Sequence, residues 1–84
     1  MSNEELIRQI RAMVSAEYDA IKMYSILAET CEDEFAKKVL ADIIKEEIVH
    51  AGQFLGVLFR LAPDEATLYE KGLKENDDID KGKK

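Results

Sequence analysis

Several things are scarce in this sequence, and each scarcity excludes something. It holds one cysteine, so no disulfide can form within the chain, and nothing in its thiol chemistry points to an oxidising compartment. A cytoplasmic location is expected. No apolar run approaches the ~20 residues that span a bilayer, and the N-terminus has no signal-peptide pattern, so no membrane partner is expected. Basic residues are outnumbered: Lys plus Arg is 12 against 18 for Asp plus Glu, a net charge of −6. Phosphate backbones attract a basic footprint, so nucleic acid is not expected as a partner. There is no Gly-rich phosphate loop, no nucleophile elbow and no Cys-x-x-Cys. One proline and four glycines leave little to interrupt regular structure. What remains is 46% hydrophobic, too apolar for a disordered chain, and 84 residues, one small domain. Domains of this size bury only ~60% of their unfolded surface and are marginal alone.

The apolar residues recur at helical spacing. From Ser2 to Thr30 there is neither Gly nor Pro, and Ser2 with Glu5 makes a capping box. The stripe is Leu6, Ile10, Met13, Glu17, Ala20, Tyr24, Leu27 and Cys31, in alternating steps of four and three, widened by Ile7, Val14, Ile21 and Ala28. The acidic cluster Glu32-Asp33-Glu34 suits a connection that leads into a helix N-terminus. A second helix is expected from about Asp33 to Leu61. Its stripe is Ala36, Leu40, Ile43, Glu47, His50, Phe54, Val57 and Leu61. Pro63 stops it, and Pro63-Asp64-Glu65 opens a short third helix expected to reach about Leu73. Lys74 to Lys84, with Ile79 its one apolar residue, is expected to be a mobile tail or linker.

Three of the sixteen stripe positions carry ionisable groups of a metal-ligand type: Glu17, Glu47 and His50. Charged groups are rarely buried unless paired or bound to metal. Glu17 lies fifteen residues before Glu32 and Glu47 fifteen after it. In an antiparallel hairpin, equal distance from the turn means equal height, so the two carboxylates should face each other. His50 follows Glu47 one turn along the same face. A Glu from one helix and Glu-x-x-His from the next is half of the set that dinuclear carboxylate bundles use. Carboxylates bridge hard or borderline cations, and neutral imidazole suits iron, manganese or zinc. Glu-x-x-His alone is weak: with eleven Glu in the chain, its lone His has a chance of roughly one in eight of a Glu three residues before it. Glu46 also offers a second register, which the stripe phase disfavours. The bland alternative is that Glu17 and Glu47 snorkel to solvent at a bundle edge while His50 is a hydrogen-bonded core residue. Tyr24, two turns from Glu17, is either an interface tyrosine or a neighbour of the site. Cys31 reads as a small buried residue.

One chain thus offers half a ligand set and leaves a wide apolar stripe uncovered. A two-fold dimer forming a four-helix bundle, with the metals on its axis, would answer both deficits.

The segments Ala16-Glu17-Tyr18-Asp19-Ala20-Ile21-Lys22-Met23-Tyr24, Lys45-Glu46-Glu47-Ile48-Val49-His50-Ala51-Gly52-Gln53-Phe54 and Leu61-Ala62-Pro63-Asp64-Glu65 resemble the encapsulated ferritin family. The likeness runs over roughly residues 4 to 75 and is to the archaeal-type members, in which this domain is fused to an encapsulin shell protein. It implies an all-α fold: an antiparallel two-helix hairpin plus a short third helix, dimerising into a ferritin-like four-helix bundle. Residues 1–75 would be the ferritin-like domain and 76–84 a disordered tail or linker. It implies homodimers arranged in a ring, typically a decamer, with the encapsulin shell protein as partner, in the cytoplasm inside a nanocompartment. The implied activity is that of a ferroxidase, oxidising Fe(II) to Fe(III) with dioxygen at a di-iron centre. Glu47 falls on the bridging position, Glu17 on the terminal one, His50 on the nitrogen ligand, and Tyr24 on a tyrosine near the centre. Manganese, zinc or calcium are expected to occupy the same ligands in crystals. Bacterial members often carry Trp where Met23 stands, and acidic residues for iron access where Ala16 and Asp19 stand. The rival activities are a rubrerythrin-like di-iron peroxidase, which usually needs a rubredoxin motif that is missing here, and a non-catalytic helical assembly module with a structural metal.

Overall fold

The first two helices begin where the sequence supplies a capping side chain. The computed structural model describes residues 1–83 and contains α1 (Asn3–Thr30), α2 (Glu34–Leu61) and α3 (Pro63–Asp80), with no strand among them. Ser2 Oγ accepts from the Glu5 N–H at 3.1 Å, and Asp33 Oδ2 accepts from the Ala36 N–H at 2.8 Å. Both bonds satisfy donors that the first helical turn leaves unpaired. Only Cys31 to Asp33 separate α1 from α2, so the two helices, each of 28 residues, fold back as a hairpin.

The hairpin seam is narrow. Val14 of α1 and Leu40, Ala51 and Leu58 of α2 are its buried residues, and Leu58 is the most deeply enclosed, at 1% exposed. As expected of a single hairpin, part of the apolar stripe is left uncovered. Met13, Leu27 and Val57 are exposed, whereas Ala51 and Leu58 lie off the stripe and are buried. The helical repeat explains the difference. Glu17 and Glu47 stand on the line where α1 and α2 meet. Val14, Ile21, Ala51 and Leu58 lie to one side of that line. Met13, Ala20, Leu27, His50 and Val57 lie to the other. Two helices can cover only part of a stripe wide enough for four.

The third helix departs from expectation. It does not end near Leu73 but runs to Asp80, so residues 74–80, expected in a mobile tail or linker, are helical. Pro63 at its start and Asp64 and Glu65 in its first turn favour nucleation there. Gly82 ends it with φ of 71°. The Lys83 N–H donates to the Asp78 carbonyl at 2.7 Å and the Gly82 N–H to the Ile79 carbonyl at 3.0 Å, which together form a Schellman motif. Lys84, the last residue of the expected tail, lies outside the described residues. A single residue, Ala62, turns the corner between α2 and α3. α3 packs against α2 and buries no residue fully.

The result is a plate of 45 × 45 × 14 Å, little more than one helix thick.

Candidate metal centre

α1 delivers Glu17 from its middle and α2 delivers Glu47 and His50 from successive turns. The hairpin brings the three to one level: one ligand atom from each lies within 4.8 Å of the others. His50 Nδ1 is 3.9 Å from Glu17 Oε2 and 3.9 Å from Glu47 Oε2. The equal-height argument from the turn therefore holds, and Glu47 rather than Glu46 is the partner in the cluster.

The distances and burial separate the two readings of these residues. At 3.9 Å neither His–carboxylate contact is a hydrogen bond, so His50 is not a core histidine satisfied by these carboxylates. The Glu17 and Glu47 side chains are 17% and 19% exposed, so neither reaches out to solvent. Glu17 Oε2 is buried and has no hydrogen-bond partner. A buried acceptor left unpaired costs about 1–3 kcal/mol, so an unpaired oxygen aimed at two other ligand atoms fits a cation held between them. Ligand atoms bonded to one ion at ~2.1 Å lie up to ~4.2 Å apart, which the His–carboxylate separations satisfy. Two carboxylates and an imidazole match iron, manganese or zinc.

The cluster is walled on the seam side and open on the other. Buried Ala51 follows His50 directly, while the His50 side chain is 45% exposed. The open side is flanked along the helices by exposed Met13, Leu27 and Val57. Tyr24 is half-buried, seven residues and thus ~10 Å along α1 from Glu17. It belongs to the same face but is not brought into the triad. Cys31, expected to be buried, is only half-buried at the turn, with Sγ 3.6 Å from the Asp33 carbonyl.

A matching fold exists among solved structures. The encapsulated ferritin domain from Pyrococcus furiosus superimposes with a TM-score of 0.87 at 37% identity, over 89% of this chain and 76% of that one. The chain belongs to the encapsulated ferritin family. Two curated relatives of this encapsulated ferritin agree. It is 38% identical over 74 residues to a ferritin-like-encapsulin shell fusion protein of Pyrococcus furiosus, covering 88% of this chain and 21% of that protein. Over 66 residues it is 38% identical to the encapsulin nanocompartment cargo protein EncC of Myxococcus xanthus, covering 79% of this chain and 51% of that protein. The chain thus spans about a fifth and about half of the lengths of these two relatives. No family model matches it.

Sequence reasoning overlooked one polar contact. Arg11 of α1 and Glu65 of α3 form a two-pronged ion pair, with Arg11 Nε donating to Glu65 Oε1 at 3.0 Å and Arg11 Nη2 also bonded to Oε1. The guanidinium holds the Glu65 carboxyl below the usual carboxylate range, and the carboxylate in turn raises Arg11. Glu65 was visible only as an acidic residue in a first turn. Nothing in the sequence connects it to a residue 54 positions away.

Proposed function

We propose that this encapsulated ferritin is a ferroxidase, taking Fe(II) as substrate and releasing Fe(III) within an encapsulin nanocompartment in the cytoplasm. The observation that carries the proposal is the convergence of Glu17, Glu47 and His50 around a buried, unpaired carboxylate oxygen. Bound iron supplies the redox chemistry, with dioxygen as electron acceptor. The chain's residues supply the binding. Glu47 is assigned the bridging carboxylate, Glu17 the terminal one and His50 the nitrogen ligand. Tyr24 is assigned a place beside the centre.

Three ligands make half of a dinuclear set, and the exposed edge of His50 faces outward from the chain. A second copy related by a two-fold axis would bring the other Glu17, Glu47 and His50 and complete a four-helix bundle. The exposed apolar residues beside His50 supply the surface such a dimer needs. Further association of dimers into a ring, a decamer in the family pattern, and a shell partner belong to the same proposal. The relatives named for encapsulin support it.

The test is aerobic Fe(II) oxidation followed by Fe(III) absorbance. Glu47→Ala and His50→Ala should each reduce the rate to the protein-free background; wild-type rates in both would overturn the assignment. Anomalous diffraction at the iron edge, on crystals soaked in Fe(II), should show two ions shared between chains. A single redox-silent zinc would favour a structural metal instead.

A further inference from the structure

The face of the hairpin opposite the open side of the metal cluster carries a groove of about 700 Å³, walled by Val14, Tyr18, Leu55, Phe59, Leu68 and Leu73. Two of these walls belong to α3, so the groove exists only while α3 is docked. What docks it is sparse. α3 has no fully buried residue, and a single residue joins it to α2. Tyr69 lies against Phe59 with ring centroids 5.4 Å apart. A polar link to α1 is the Arg11–Glu65 pair, whose side chains are 50% and 20% exposed but meet through more than one hydrogen bond. Both Glu65 oxygens accept from Arg11 Nε, at 3.0 and 3.3 Å, and Nη2 adds a further bond to Oε1. A planar guanidinium that meets a carboxylate with two nitrogens fixes direction as well as distance. Glu65 sits in the first turn of α3, beside the corner at Ala62, so fixing it fixes the angle at which the whole helix leaves α2.

We infer that the Arg11–Glu65 pair is a latch that fixes the angle at which α3 leaves the hairpin and thereby forms the apolar groove between them. When the pair is broken, α3 becomes a nearly free helix of 18 residues, only slightly longer than the ~12–15 below which isolated helices are marginal in water. Its amide protection and the groove are then lost together, while the α1–α2 seam, which is built from other residues, stays closed.

Amide hydrogen exchange of the full chain tests this. Glu65→Gln and Arg11→Gln should each accelerate exchange at least fivefold in residues 66–76, with residues 14–20 and 47–58 unchanged. The charge-reversed pair, Arg11→Glu with Glu65→Arg, should return exchange in α3 to within twofold of wild type. Raising salt on the unaltered chain should accelerate exchange in α3 selectively, which keeps the test independent of whether a variant folds. Unchanged exchange of α3 in Glu65→Gln, a reversed pair that fails to restore protection, or indifference to salt would each overturn the latch.

Discussion

Glu17 is a residue whose cost and use are the same fact. Its Oε2 is buried without a donor, which penalises the metal-free chain, and the same oxygen is the one aimed at His50. Glu17→Met replaces the carboxylate by an apolar side chain of similar length. It should stabilise the metal-free chain by about 1–3 kcal/mol, the usual penalty for an unsatisfied buried group. The same change should abolish the stabilisation that added Fe(II) or Mn(II) gives to the unaltered chain. Urea unfolding with and without metal measures both effects. A loss of stability without metal would mean that Glu17 is satisfied in the free chain after all. The triad itself was legible beforehand because two helical periods and one turn position suffice to place three side chains at one height. The Arg11–Glu65 pair was not, because its two residues meet only through the angle at which α3 leaves α2.

At the scale of the helix, α3 shows how a polar composition can mislead. Residues 74–80 have almost nothing to bury, and on composition alone they read as a tail. They are helical because both ends of the segment are specified: Pro63 and the acidic first turn at one end, and Gly82 in the left-handed conformation at the other. The signal was present in Asp80-Lys81-Gly82-Lys83, where a glycine follows a helical stretch. The docking of α3 should also depend on pH. Glu65 is held below its ordinary value mainly by its bond to Arg11. A lowered carboxyl contributes stability that is complete above its unfolded value of about 4.3 and is lost as pH falls through the folded value. Chemical shifts of residues 66–79 should therefore stay constant down to about pH 4 and move toward coil values below it. Loss of α3 signals between pH 7 and 5 would require another group.

For the whole molecule, the numbers describe an open, extended shape. The radius of gyration is 16.8 Å, against ~12 Å for a compact domain of this length. The accessible surface is 6624 Å², where a folded monomer of this mass exposes about 5,100 Å². The excess is about 1,500 Å², nearly twice the ~800 Å² that each partner gives to an interface of standard size. One chain thus has area for two interfaces: the open side of the metal cluster and the grooved face opposite. If the first holds the two-fold partner, Val57→Arg, which puts a charge on the exposed apolar surface one turn-pair beyond His50, should break the dimer. Sedimentation should show a loss of oligomer and metal analysis a parallel loss of bound iron. An intact oligomer with Val57→Arg would place the interface elsewhere.

The helices, the turn, the family and the three converging residues follow from local patterns: period, caps, a proline and short motifs. Such patterns depend on residues near in sequence, and 28-residue helices propagate them rigidly enough to predict which side chains share a height. Which half of each stripe is covered depended instead on how the helices roll against one another, and that separated buried Ala51 and Leu58 from exposed Met13 and Val57. The angle of α3, the groove it closes and the pairing of Arg11 with Glu65 likewise needed three dimensions. They arise from contacts between residues far apart in the chain, where a small change in the corner at Ala62 is multiplied along a helix of 18 residues.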